Sequence, residues 1–249
     1  MSSKIGLNLT RNYSINFDLK KRDKKSIRFV IIHYTGMKRE SDAIKRLCDS
    51  KSKVSSHYFI KNSGNILNLV PDLYTAWHAG DSKWKSLKFL NKYSIGIEIN
   101  NPGHDHKYKK FSSKQILSLI KLLKFLLKKY NIKKKNVLGH SDIAPDRKKD
   151  PGEKFPWKIL FNNKIGIWHD LENKKLISLR KKKVSILEKN LFFENLKKFG
   201  YFYKKTNAIS KKKYQKLLIK AFQRRFRPEQ INGKVDKECL AIIKNLANT

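Results

Sequence analysis

Ile27-Arg-Phe-Val-Ile-Ile-His-Tyr34 is a run of apolar and β-branched residues bounded by charge, the composition of a strand buried inside a sheet. It carries His33 to its C-terminal end. Working outward, Ser56–Ile60 (SHYFI) and Ile66–Val70 (ILNLV) flank Lys61-Asn-Ser-Gly-Asn65, the pattern of a hairpin with a short glycine-containing loop. In Tyr93–Asn100 (YSIGIEIN) the residues Ile95, Ile97 and Ile99 alternate with Gly96, Glu98 and Asn100, so one face packs and Glu98 lies on the other. Between Ser112 and Tyr130 apolar residues recur at helical spacing (Ile116, Leu119, Ile120, Leu123, Leu127), with Ser112 and Gln115 placed as a capping box. Asn136–His140 reads as a short strand ending in a second histidine, followed by a loop rich in Asp, Pro and Lys up to Trp157. Strands and helices in this order suggest a mixed α/β domain.

The chain then changes character. Residues 171–189 are dominated by lysine and read as a linker. Helical patterns follow at Leu191–Phe199, Ser210–Phe226 and Asp236–Leu246, with Ser210 and Asp236 as N-caps and Gly200, Pro228 and Gly233 as punctuation. The expected division is an N-terminal extension over 1–26, a main domain over 27–170, the linker, and a small C-terminal three-helix module over 190–249.

Composition limits what the chain does. With 39% hydrophobic and 11% aromatic residues it can bury a core. The net charge of +38 first suggests an anionic partner. Only ten of the 58 basic residues are arginine, however, and the lysines are spread along the whole chain. Forked recognition of bases and phosphates uses arginine, so no specific nucleic-acid partner is expected. Cys48 and Cys239 fall in different expected domains and are read as buried free thiols rather than a disulfide. No uncharged apolar run is long enough for a transmembrane segment. The opening residues carry no signal-peptide pattern, which leads to a cytoplasmic expectation. In the absence of an apolar heptad, a monomer is expected.

A lone histidine at a strand end is more often a structural or surface residue than a ligand, and the 107-residue separation of His33 and His140 is not diagnostic. The segment Gly139–Trp157 (GHSDIAPDRKKDPGEKFPW) adds Asp150 ten residues after His140. Two imidazoles and one carboxylate form a catalytic zinc donor set, with the fourth position left for water.

Several ordered stretches together resemble a known family. Val30–Thr35 (VIIHYT), Val54–Ile60 (VSSHYFI), Leu69–Gly80 (LVPDLYTAWHAG), Ser94–Ile99 (SIGIEI) and the GHSDIAP-to-DPG run are similar to the type 2 N-acetylmuramoyl-L-alanine amidases, whose fold is shared with peptidoglycan recognition proteins, a resemblance that implies a mixed central sheet flanked by helices. Ala221–Pro228 (AFQRRFRP) with Asn232–Asp236 (NGKVD) resembles the peptidoglycan-binding-type three-helix module of the AmiD-like branch, which the AmpD-like branch lacks. The resemblance implies a single Zn2+ held by His33, His140 and Asp150, with Glu98 as catalytic carboxylate and Lys148 as catalytic lysine. It implies a peptidoglycan or muropeptide substrate, for turnover or recycling of the cell wall. His57, Trp77, His78 and Asn100 are expected to contact substrate, and Trp157 to pack in the core. His104, His106 and His169 are expected at the surface. The AmiD-like branch carries a periplasmic or outer-membrane location, the alternative to the cytoplasmic one.

Overall fold

The apolar run at 27–34 folds as the strand Phe29–Tyr34, buried from Phe29 through His33. The structure is a computed structural model that describes residues 9–11, 13–202 and 209–248. In chain order the strands are β1 (Leu9–Arg11), β2 (Phe17–Asp18), β3 (Phe29–Tyr34), β4 (Tyr58–Ile60), β5 (Ile66–Asn68), β6 (Thr75–Ala76), β7 (Lys83–Trp84), β8 (Leu87–Lys88), β9 (Ser94–Ile99) and β10 (Val137–Gly139). The helices are α1 (Glu40–Cys48), α2 (Ser113–Tyr130), α3 (His140–Ile143), α4 (Trp157–Asn162), α5 (Asn173–Leu179), α6 (Ile186–Phe199), α7 (Lys211–Phe226) and α8 (Lys237–Ala247).

Six strands form a mixed sheet in the order β1-β5-β4-β9-β3-β10. The four strands β4, β9, β3 and β10 run parallel, and β5 closes the expected antiparallel hairpin with β4. Strand parity sorts the side chains. Val30 and Ile32 of β3 join Ile95, Ile97 and Ile99 of β9 against α2. Helix α2 begins at the Ser112–Gln115 capping box read from the sequence. Phe29, Ile31 and Leu138, on the opposite face, share a core with Phe192, Phe222 and Ile243 of the C-terminal helices. A smaller apolar group seats α1 under Phe59, Leu67 and Leu69. The sheet is therefore a layer between helices, as expected, and the C-terminal helices are part of the layer that covers it.

Two segments differ from their sequence reading. Within 1–26, β1 pairs in parallel with β5, and β2 pairs with β6; residues 1–8 and 12 lie outside the described residues. Arg22 donates to the carbonyls of Asp72, Asn91 and Ser94, so this segment is strapped to the domain rather than appended to it. The 171–189 stretch contains α5, whose Leu176 is buried, and Arg180 pairs bidentately with Glu238 at 2.7 Å in both contacts. One apolar anchor and one part-buried ion pair among many lysines leave little mark on composition. Helix α6 also starts earlier than read, at Ile186, because Ser185 and Glu188 form a capping box.

No described helix is long and apolar enough to cross a membrane. Cys239 is buried and Cys48 only partly so, both as free thiols.

Candidate active site

Parallel strands bring their C-terminal ends to one edge, the usual place for ligand chemistry in open α/β sheets. His33 near the end of β3 is in register with Glu98 of β9, and His140 follows directly on β10. Both His33 and Glu98 share the parity of Ile31 and Gly96, so they face away from α2. The loop after α3 returns Asp150 to the same point.

The three candidate ligands meet there. His33 Nδ1 lies 2.9 Å from His140 Nδ1 and 3.0 Å from Asp150 Oδ2, and His140 Nδ1 is 3.1 Å from that oxygen. All three residues are buried. Donor and acceptor elimination fixes the imidazole tautomers. Ser94 Oγ gives its only proton to Leu90 O at 2.6 Å, so it accepts from His78 Nε2–H at 3.2 Å. His78 Nδ1 must then accept from His33 Nε2–H, 3.0 Å away, which leaves a lone pair on His33 Nδ1. His140 Nε2–H donates to Ala79 O at 3.2 Å, leaving a lone pair on its Nδ1. Two lone pairs and a carboxylate oxygen thus converge with no donor between them.

That arrangement fits a divalent cation. Ligands 2.0–2.1 Å from a tetrahedral centre stand roughly 3.3 Å apart, a few tenths of an ångström beyond the edges seen here. Burial, reinforced by His140, lowers His33 to about 4, so it is neutral and able to bind a metal. Burial alone would raise the Asp150 carboxyl, but the neighbouring imidazoles, His140 foremost and then His33, hold it well below the usual carboxylate range.

The ligands lie in a cleft of about 560 Å³ also lined by Trp77, His78, Glu98 and Lys148. Glu98 Oε2 is shut off from solvent and has no hydrogen-bond partner among the described residues. Burial pushes the Glu98 carboxyl up to about 8; Asp150 adds to the shift and Lys148 opposes it. An unpartnered carboxyl with a displaced pKa in a cleft is a mark of a functional group rather than a structural one.

Two of the expected substrate contacts do not reach the cleft. His57 is fully buried; its Nδ1 accepts from Gly96 N–H at 3.0 Å and its Nε2 donates to Tyr74 O at 3.0 Å. Burial, then Arg22, lowers it to about 3. It packs edge-on beneath His78, ring centroids 5.7 Å apart. Asn100 follows the end of β9, where the chain turns inward: its N–H donates to Ile60 O and its carbonyl accepts from Gln115 Nε2. His78 does line the cleft, yet both of its ring nitrogens are committed to Ser94 and His33. Gly96 makes room for it, since a Cβ there would stand 2.4 Å from the His78 ring. Trp77 is half-buried at the rim, with Nε1 donating to Asp18 at 2.8 Å.

His104, His169 and Trp157 are accounted for by packing. His104 is half-buried between Tyr34 and Glu153, and His169 is buried beside Trp168, so neither is the surface residue expected. Their partners are distant in sequence or arise only on folding. His106 is half-buried, and Trp157 is core.

The sequence reading missed two supports. Asn91 Oδ1 accepts from the N–H groups of His78 and Ala79, and Arg147 donates to the carbonyls of Ala79 and Asp81. Together they fix the loop that orients His140. Asn91 has no local signal, and Arg147 is hidden in a basic run.

The family model for N-acetylmuramoyl-L-alanine amidase matches residues 23–153. The chain is 36% identical over 232 residues to the N-acetylmuramoyl-L-alanine amidase AmiD of Escherichia coli, covering 88% of this chain and 82% of that one. The structure of Escherichia coli AmiD with anhydro-N-acetylmuramic acid-L-Ala-D-γ-Glu-L-Lys matches with a TM-score of 0.78 and 34% identity, over 93% of this chain and 91% of that chain. Pseudomonas aeruginosa AmpDh3 in complex with anhydromuramic pentapeptide matches with a TM-score of 0.77 and 32% identity, over 92% and 93% of the two chains. By fold, by the matched segment and by near-full-length similarity, this chain belongs to the type 2 N-acetylmuramoyl-L-alanine amidase family.

Proposed function

We propose that the protein is a zinc-dependent amidase that hydrolyses the bond between N-acetylmuramic acid, or its 1,6-anhydro form, and L-alanine in peptidoglycan or muropeptides. One observation carries the reading: lone pairs of His33 and His140 and the Asp150 carboxylate converge beside the unpartnered carboxyl of Glu98. The similarity to two proteins whose structures hold anhydromuramoyl peptides supports the substrate class.

In this reading His33, His140 and Asp150 hold the ion. When bound there, zinc supplies Lewis acidity for the scissile carbonyl and positive charge that lowers the proton affinity of nearby water and carboxyl groups. Glu98 takes a proton from the attacking water as its oxygen bonds to the carbonyl carbon, then returns that proton to the alanine nitrogen as the C–N bond breaks. The products are a muramic lactyl carboxylate and a peptide with a free alanine amine. Near-neutral proton affinity lets one carboxyl both accept and return a proton. Lys148, in the same cleft, offsets the negative charge that develops on the carbonyl oxygen. His78 acts through His33, holding its tautomer, and Trp77 is placed at the rim to meet the sugar or peptide. We assign this chemistry to residues 27–170 and treat 190–249 as a helical unit that shares its core.

Chelation tests the metal requirement. Dialysis against a strong chelator is expected to remove turnover of an anhydromuramoyl tripeptide, and stoichiometric zinc to restore it. Full activity in protein measured to be metal-free would refute the reading.

A further inference from the structure

The short helix that begins with His140 is held from outside the family-matched segment. Asp142, two residues after His140, is 2% exposed, and both of its carboxylate oxygens are occupied. Oδ1 accepts from Tyr201 Oη at 2.5 Å, while Oδ2 accepts from Gly139 N–H at 2.8 Å and from Arg225 Nη1 at 2.5 Å. The other arm of the same guanidinium, Nη2, donates to Val137 O at 3.1 Å, three residues before His140. The guanidinium also lies 4.3 Å over the Trp157 ring. That ring borders Gly139, where a Cβ would stand 3.3 Å from Trp157 and 2.7 Å from Pro151, the residue after Asp150. Tyr201 and Arg225 both lie beyond residue 153, where the family match ends.

A four-residue helix has no stability of its own, so its position is set by what it touches. Arg225 touches the chain on both sides of His140, at Val137 and at Asp142. We infer that Arg225, assisted by Tyr201, is a positioning residue for the metal site: the C-terminal helical unit sets where His140 Nδ1 stands relative to His33 and Asp150. The inference rests on the zinc reading proposed above. It makes the C-terminal unit a working part of the catalytic centre and not only a unit that binds elsewhere.

The alternative is that Arg225 merely cements two halves of the chain. Arg227 provides the control. It is just as buried and pairs with Asp236 at 2.5 Å and Glu238 at 3.3 Å, all within the helical unit and away from residues 137–142. The test uses the full chain and measures the zinc dissociation constant by competition with a chromophoric chelator, together with the Tm of the metal-free protein. Arg225→Met is expected to weaken zinc binding about 10–100-fold, the usual cost of losing an outer support of a metal ligand, and to lower kcat more than it changes KM. Arg227→Met is expected to lower the Tm while leaving the zinc affinity unchanged. Should Arg225→Met fail to fold, Tyr201→Phe removes only the hydroxyl on Asp142 and is expected to weaken zinc several-fold. Wild-type affinity in Arg225→Met, or in Tyr201→Phe if that variant replaces it, would overturn the inference, as would equal weakening by Arg227→Met. A wild-type protein that binds no zinc would overturn the metal reading itself, a result visible before any variant is made.

Discussion

Glu98→Gln is expected to keep a full complement of zinc and to lose about 10²–10⁴-fold in kcat, the range associated with removing a general acid–base group. The substitution is nearly isosteric and touches none of the three ligand side chains. His33 Nδ1, His140 Nδ1 and Asp150 Oδ2 remain within 3.1 Å of one another. What disappears is a cleft carboxyl that burial has pushed up to about 8. Stability should move the other way from activity. Folding buries a carboxyl oxygen that finds no partner among the described residues, a cost that a neutral amide reduces. The Tm of Glu98→Gln is therefore expected to equal or exceed that of the wild type. Calorimetry and steady-state kinetics on one preparation check both signs. Undiminished turnover would remove Glu98 from the reaction, and loss of zinc would show that it serves the ligands instead.

His140→Ala is expected to lose zinc and turnover together. Structural zinc sites with four ligands gather roughly 10–16 kcal/mol, about 3 kcal/mol per ligand, so removing one ligand weakens binding on the order of 100-fold or more. The two remaining ligands also lose a neighbour, because His140 Nδ1 is the corner at which two of the triangle's three edges meet. The fold is expected to persist. Ala79 O, which accepts from His140 Nε2, keeps its bond from Arg147, and Asp142 keeps Arg225 and Tyr201. Elemental analysis, circular dichroism and turnover of the variant separate these outcomes: a folded, metal-free, inactive protein is expected. A variant that retained stoichiometric zinc would place the ion elsewhere.

In the proposed reading the two variants divide the site into a part that holds the ion and a part that moves the proton. That division was partly legible in the sequence. The alternation of Ile95, Ile97 and Ile99 places Glu98 on the face opposite those three residues, and strand parity in the structure bears this out. The Ser112–Gln115 box and the Ser210 and Asp236 caps were readable because capping is local. His33 and His140 were not distinguishable from structural histidines by spacing, since the register of β3 with β10 brings them together across 107 positions. His57 and Asn100 show the reverse. They sit in motif-bearing stretches, yet their polar groups are committed to main-chain and core partners such as Gly96, Tyr74 and Thr35. Arg225 was hidden for another reason: its partner Asp142 is 83 residues away, and nothing in a lysine-rich chain marks one arginine as the buried one.

The most direct test of the whole account is mass spectrometry of the products after the zinc-loaded protein is incubated with a defined anhydro-N-acetylmuramoyl tripeptide. The account predicts two products that differ from the substrate by one added water: anhydro-N-acetylmuramic acid with a free lactyl carboxyl, and a peptide with a free N-terminal L-alanine. Substrate left intact, or cut within the peptide or in the sugar, would contradict it.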